Sequence, residues 1–420
     1  MTTTSRLSAG AALSTLLMLL TVFGPISMDL YLPALPALTA ELGASTSVAQ
    51  FTITACLIGL AVGQVIAGPL SDRFGRRTPL LIGVTAFAAA SVLCAVSPTI
   101  GTLILARLVQ GLAGAVGIVI SQAAGRDVYA GSALIRYYGR LTVMGGLAAV
   151  VGPVIGGQLV RFTDWRGVFV ALAGIGVLLL VLCLVVFRET LPVAQRTSGG
   201  MRQTGRDFRR LLSDRLFLGA VLITGFLFAA VFAYLAGATY ILQGVYGLSP
   251  QGYSLAFGLN SAGVMLFGYL GGRTAARWSE RGTLLVGLAM SAAGALGLLA
   301  TGLFALPLPV VIVSLFLMIS GSAGLSAPPT TSLALTDYPE LAGTASSLLG
   351  LARYAFGGIA APLVGLGGAD AVLPLGIVTV TAVALAIGAQ VVLVGRERKP
   401  HPVDPTARAA ADALRQATSE

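Results

Sequence analysis

Apolar and polar residues do not alternate along this chain; they come in long blocks. Continuous apolar runs of about 20 residues, the length a helix needs to cross a bilayer, recur near 10–32, 47–70, 79–97, 101–123, 138–160, 167–187, 216–243, 251–272, 284–304, 308–333, 341–366 and 371–395. A membrane β-barrel would show ten-residue segments of alternating character, so the blocks predict helices. The third and fourth runs are parted only by "SPT" at Ser97, and the ninth and tenth only by "LPLP" at Leu306. One interruption is long: residues 188–215 are polar and basic. The pattern therefore divides the chain into 1–187, with six predicted spans, a central loop at 188–215, a second set of six spans at 216–395, and a polar tail at 396–420. Eleven further spans argue against reading the first as a cleaved signal peptide.

Composition agrees with this picture. Only 10% of the residues are charged and mean hydropathy is +0.90, whereas soluble domains carry about 25% charge. The net charge of +10 would suit a nucleic-acid binder, but its placement points elsewhere. Arg73, Arg76 and Arg77 follow the second run, and Arg126, Arg136 and Arg140 follow the fourth. More arginines fill the central loop, the link after the eighth run (Arg273, Arg277, Arg281) and the tail. The intervening links hold almost none beyond Arg161 and Arg166. This alternation predicts a multi-pass protein of the inner (cytoplasmic) membrane with both termini in the cytoplasm; its surroundings are lipid, not nucleic acid. The three cysteines lie in apolar runs and the one histidine, His401, stands in the tail, so no metal site is expected.

The two halves echo each other. "GPLSDRFGRR" from Gly68 and "GYLGGRTAAR" from Gly268 share glycine, leucine and two arginines in register, each after the second run of its half. Duplication of this kind is common in transporters.

At these residues the sequence resembles the major facilitator superfamily, in particular its drug–proton antiporters. "GPLSDRFGRRTPL" fits the signature loop G-x-x-x-D-R-x-G-R-[KR]; "LARLVQGLAGA" resembles the fourth-helix motif built around an arginine, here Arg107. "GPVIGG" at Gly152–Gly157 resembles the fifth-helix antiporter motif, with Ala148 where its longer form has glycine. "MDLYLPALP", "GRDVYAG" and "LAGTASSLLG" resemble the bicyclomycin-resistance (Bcr/CflA) branch. The resemblance implies an all-α integral membrane protein of 12 transmembrane helices in two pseudo-symmetric six-helix bundles, acting as a monomer. The implied activity is proton-coupled export of small drugs such as chloramphenicol- or bicyclomycin-like compounds or lipophilic cations, with protons as coupling ion and no other cofactor. Export or symport of a natural metabolite is the alternative.

Asp29 is the proton-coupling candidate, because an ionisable residue at membrane depth is expensive and defaults to function. Pro25, Pro33 and Pro36 suit a broken segment around it. Arg107, which stays charged, is expected to couple electrostatically to the Asp29 site. Gly68, Asp72, Arg73, Gly75, Arg76, Arg77 and Asp127 form the candidate cytoplasmic gate: Gly75 permits a turn, Arg76 pairs with Asp127, Arg77 is a solvated topology signal, and the resemblance has Asp72 capping the eleventh helix near Leu341. Gly152, Pro153, Gly156 and Gly157 are expected to pack the halves together. Met28, Gln110, Met144, Phe232, Tyr240, Asn260 and Arg353 are candidate cavity residues, Met and aromatics being adaptable to varied apolar ligands. Glu41 is expected to be solvated. No pair of membrane-depth catalytic groups supports an intramembrane enzyme, and no G-x-x-x-x-G-K-[ST] sequence supports ATP as the energy source.

Overall fold

The structure is a computed structural model describing residues 3–129, 131–196, 200–277, 279–335, 338, 341–366 and 372–394. The tail at 396–420 lies outside the described residues. Long helices succeed one another: α1 Thr3–Asp29, α2 Thr46–Phe74, α3 Arg77–Ala95, α4 Ile100–Val128, α5 Gly131–Phe162 and α6 Trp165–Val186, then α7 Arg215–Thr239, α8 Pro250–Arg277, α9 Glu280–Phe304, α10 Leu308–Ile319, α11 Ala342–Gly365 and α12 Val372–Ala389. Three of them run on in π-helical turns, at Tyr240–Val245, Ser320–Leu325 and Gln390–Val394, and α10 resumes at Ala327–Leu335. Among the described residues, eleven helical segments are long and apolar enough to cross a membrane. The 32-residue α5 is not one of those eleven but is continuous and occupies the fifth predicted span.

The helix starts are written in the links. Ser45, Asp164, Asp214 and Ser279 each accept a backbone N–H from the first turn of the helix they precede, and Thr99 and Thr102 form a reciprocal capping pair at the start of α4. Two features were not legible as helix. α1 stops at Asp29 and is followed by a 3₁₀ turn, Leu32–Ala34, and a short helix, Leu35–Glu41, because prolines at 33 and 36 cannot donate to a preceding turn. The central loop holds a helix, Gly200–Ser213, which buries Leu211 beside Phe217, Leu348 and Leu349.

Small residues set the packing. α4 approaches α2 so closely that a Cβ on Gly111 would strike the Cys56 carbonyl, and approaches α1 where Gly114 meets Gly24. The stripe of small residues on α4 is thus a packing face. α2 also lies along α11, and α5 along α8. These are the two long contacts between the first six helices and the last six. They exchange equivalent positions, second with fifth helix, in the two halves. A layer of buried residues from Leu30–Leu38, Ile223–Leu242, Tyr253 and Phe257 joins the halves. Outward-facing side chains such as Ile82, Val185, Phe304 and Ile359 remain exposed, which suits hydrocarbon surroundings.

Candidate functional site

Asp29 is the last residue of α1 and only 8% exposed. Among the described residues it forms no ion pair. Gly152 of α5 faces it: a Cβ there would lie 2.8 Å from the Asp29 Cβ. One turn on, a Cβ at Gly156 would run into the Leu30 carbonyl, and Gly157 packs against Ser254 and Pro250 of α8. The glycines of "GPVIGG" therefore serve two contacts, with the end of α1 and with the other half; Pro153 lies between them, inside α5.

Arg107 is fully buried. Its Nη1 donates to the Ser27 carbonyl at 3.2 Å and to Gln110 Oε1 at 2.6 Å, and Gln110 donates on to Ser91 Oγ at 2.7 Å. Rings of Tyr31 and Phe169 stand 4.4 and 5.7 Å from the guanidinium carbon, while Nε and Nη2 have no acceptor. Aromatic faces offset part of the cost of burying the cation. Among the described residues Arg107 makes no ion pair with Asp29: the guanidinium lies between Tyr31 and Phe169, and its link toward Asp29 runs through the Ser27 backbone. Gln110 is part of this network.

The remaining cavity candidates lie on several helices. Met28 is buried beside Asp29 in sequence, and Met144 on α5 is half-buried. Asn260 donates to the Tyr234 hydroxyl at 3.0 Å, its Oδ1 lacking a partner. Phe232 packs 6.2 Å from Phe228 and 5.9 Å from Tyr354, centroid to centroid. Tyr240 is instead part of a seal between halves, its hydroxyl 2.7 Å from Thr39 Oγ1. Gln243 Nε2 to the Pro33 carbonyl, Gln50 Nε2 to the Ala236 carbonyl and Gln251 Nε2 to the Gly157 carbonyl complete it. This seal lies at the end of the helices away from Gly68–Arg77. Arg353, on α11, borders a separate small cavity described below.

At the other end, Arg76 is the hub. Its Nε donates to Asp127 Oδ2 at 3.0 Å, and its Nη1 to Asp72 Oδ1 at 2.5 Å and Ser71 Oγ at 2.7 Å. Asp72, expected to cap α11, is bound here by Arg76. Arg73 is exposed over the Phe74 ring, and Gly68 packs loosely near Val119. Gly75 turns the chain at φ +87° and ψ 167°, a conformation costing other residues of order 1–3 kcal/mol. Gly75→Ala should lower stability by about 2 kcal/mol in thermal unfolding of the detergent-solubilised protein.

Sequence reading missed Glu189. Its Oε1 accepts the Arg76 and Leu191 N–H groups and its Oε2 the Arg77 N–H, while Arg196 stands 3.6 Å away. Thr190 Oγ1 donates to Asp127. The start of the central loop is thereby pinned to the positive end of α3. Arg77 itself reaches the Leu184 carbonyl, so it is more than a solvated charge. Partial burial opposes ionisation of Glu189, but the backbone donors of Arg76, Leu191 and Arg77 and the Arg196 cation outweigh it and hold the carboxyl below its usual range. A depressed folded pKa means the pinning is complete above the ordinary glutamate value near ~4.3 and fades as pH falls through the lower folded one. Hydrogen-exchange protection of the Arg76 and Arg77 amides should accordingly survive acidification to the ordinary glutamate value near ~4.3 and be lost only below it; protection unchanged in Glu189→Ala would exclude the carboxylate as their acceptor. The only signal in the sequence was a glutamate directly after the sixth apolar run.

Glu41 is likewise engaged: it accepts Trp165 Nε1 at 2.8 Å and Arg166 Nη1 at 2.9 Å, and Arg166 lies over the Trp165 ring. The short helix after α1 is therefore anchored to α6 by a side chain that keeps half its surface exposed, in line with the expectation of a solvated group.

Long apolar helices in two sets of six, a buried carboxyl at a helix break and charged short links are the architecture of a multi-pass membrane protein. The family model of the Major Facilitator Superfamily matches residues 17–362, and the chain belongs to that superfamily. It is 38% identical over 89% of its length to "Uncharacterized MFS-type transporter YdgK" of Bacillus subtilis (strain 168), covering 93% of that protein. It is 27% identical to the "Bicyclomycin resistance protein homolog" of Haemophilus influenzae, over 91% of this chain and 96% of the other. Among solved structures, a bacterial homolog of the human lysosomal transporter Spinster, inward-facing and occupied, superposes with a TM-score of 0.72 at 15% identity, covering 96% of this chain and all of that one.

Proposed function

We propose that the protein is a proton-coupled efflux transporter of small drugs, chloramphenicol- or bicyclomycin-like, working by alternating access of two six-helix bundles at 1–187 and 216–395. The observation that carries this reading is Asp29, a buried carboxyl without a cationic partner at the end of α1, packed against the first glycine of "GPVIGG". A carboxyl so placed accepts a proton from one side and releases it to the other as the halves rock. Arg107 positions the same segment through the Ser27 carbonyl. The seal at Thr39–Tyr240 closes the outer mouth, and the Asp72–Arg76–Asp127–Glu189 network organises the cytoplasmic gate. Kinship at 27–28% identity to bicyclomycin- and chloramphenicol-resistance proteins supports the drug class.

The test is proton release from acidified inverted vesicles on addition of chloramphenicol or bicyclomycin. Release that requires the transporter supports drug–proton antiport. Uptake of protons together with the compound would identify a symporter, and no response to either drug would turn the reading to a metabolite.

A further inference from the structure

The small cavity between α7, α10 and α11 has a composition unlike the rest of the interior. Arg353 lines it together with Thr224, Phe228, Ser322, Ser326, Thr330 and Thr331. Arg353 Nε is sealed from solvent without an acceptor, and no carboxylate pairs with the side chain among the described residues. The fully buried Ser326 hydroxyl, on the same cavity wall, also lacks a partner. The other hydroxyls are partly spent: Thr330 donates to the Ser326 carbonyl, Thr331 to the Ala327 carbonyl and Ser322 to Ser291. What remains for a ligand is a donor set, the guanidinium with Ser326 and Thr224, and no acid to neutralise it. Arg353 is half-buried, and its sealed Nε and the buried Ser326 hydroxyl are donors that an anion would satisfy.

Resting on the export reading above, we propose that the transported compounds include amphiphiles bearing a carboxylate, and that Arg353 and Ser326 receive that group. The Phe228 ring, 4.2 Å from the guanidinium carbon, covers one face of the planar cation and leaves its N–H edge for in-plane, two-pronged bonding to a carboxylate. Phe228, Phe232 and Tyr354 form a continuous aromatic ladder leading away from it, a surface for the apolar body of the same molecule. The cavity measures about 10 Å³, about the room one water needs. Entry of a carboxylate therefore requires α7, α10 and α11 to shift against one another within the second bundle.

A probe pair of equal bulk isolates the charge: chloramphenicol succinate and its methyl ester. Equilibrium binding of each is measured on the full-length protein in detergent, without a proton gradient. Wild type is expected to bind the acid roughly tenfold or more tightly than the ester, the scale of hydrogen bonds to a charged group. The acid-over-ester ratio should fall to near one in Arg353→Gln, lie between in Arg353→Lys, which keeps the charge and loses the fork, and drop a few-fold in Ser326→Ala. A wild type with no preference for the acid overturns the proposal. So does a ratio unchanged within about twofold in both Arg353→Gln and Ser326→Ala. Because binding is read without transport, its failure leaves the proton-release test with neutral chloramphenicol unaffected, and a failed proton-release test leaves the binding ratio readable.

Discussion

Asp29→Asn should lose gradient-driven efflux while keeping, or gaining, thermal stability. Asparagine nearly matches aspartate in shape, so the contact with Gly152 survives. What disappears is the ability to exchange a proton. A coupling free energy of ~1–3 kcal/mol corresponds to roughly a 5–150-fold dependence of one ligand on the other, and the variant should retain none of it: efflux rates in vesicles become the same with and without a pH gradient. The stability half of the prediction separates function from architecture. Among the described residues no cation pairs with Asp29, so neutralising it breaks no ion pair, and burial of an unpaired charge is itself unfavourable. A variant that lost efflux because it unfolded would show Asp29 to be structural. Gradient-dependent efflux persisting at the wild-type level would move the proton site elsewhere.

Arg76→Ala is the second large effect. The side chain is 6% exposed, against 14% for Asp127 and 45% for Asp72. Removing one partner of a buried pair costs ~3–5 kcal/mol, and exposed pairs contribute ~0–1 kcal/mol. The Asp127 half of the network lies near the first case and the Asp72 half near the second, so a loss of about 2–3 kcal/mol is expected. Arg76→Lys should recover less than half of it, because an ammonium cannot span Ser71, Asp72 and Asp127 with fixed fork geometry. Both are read by thermal unfolding in detergent. Exchange of the Arg77 amide should rise in Arg76→Ala as well, since Glu189 and Asp127 are joined through Thr190. A variant as stable as wild type would mean that the two aspartates are held by solvent.

The fold was legible because hydrocarbon imposes a coarse demand, some 20 apolar residues in a row, and the chain meets it in block after block. What needed coordinates was anything decided between blocks. Asp29 could be singled out as an isolated carboxylate, but the glycine against it lies more than a hundred residues away, and nothing in "GPVIGG" says which backbone its small residues admit. Arg107 was visible as a charge in an apolar run; that Tyr31 and Phe169 would hold it was not, since aromatics are common in such runs. The polarity of the central loop hid both a helix at Gly200–Ser213 and a docked carboxylate at Glu189, because a basic segment reads as solvated until its partners are seen. The partners of Glu41 were hidden for the same reason. Tyr240 and Gln110, expected on a binding wall, are each hydrogen-bonded to a neighbour, Thr39 and Arg107, and such partners have no signature in a single sequence.

The bonds that join the halves at their far end, Thr39 to Tyr240, Gln243 to the Pro33 carbonyl, Gln50 to the Ala236 carbonyl and Gln251 to the Gly157 carbonyl, are all between uncharged groups. Opening that mouth therefore transfers no elementary charge through the membrane field, where each charge crossing would carry ~2.3 kcal/mol per 100 mV. The gate is electrically silent. Any voltage dependence of the transport cycle then belongs to charges elsewhere, the carboxyl of Asp29 with the proton it carries, the Arg107 and Arg353 cations inside the helices and the charge on the cargo, and the membrane potential leaves this door alone.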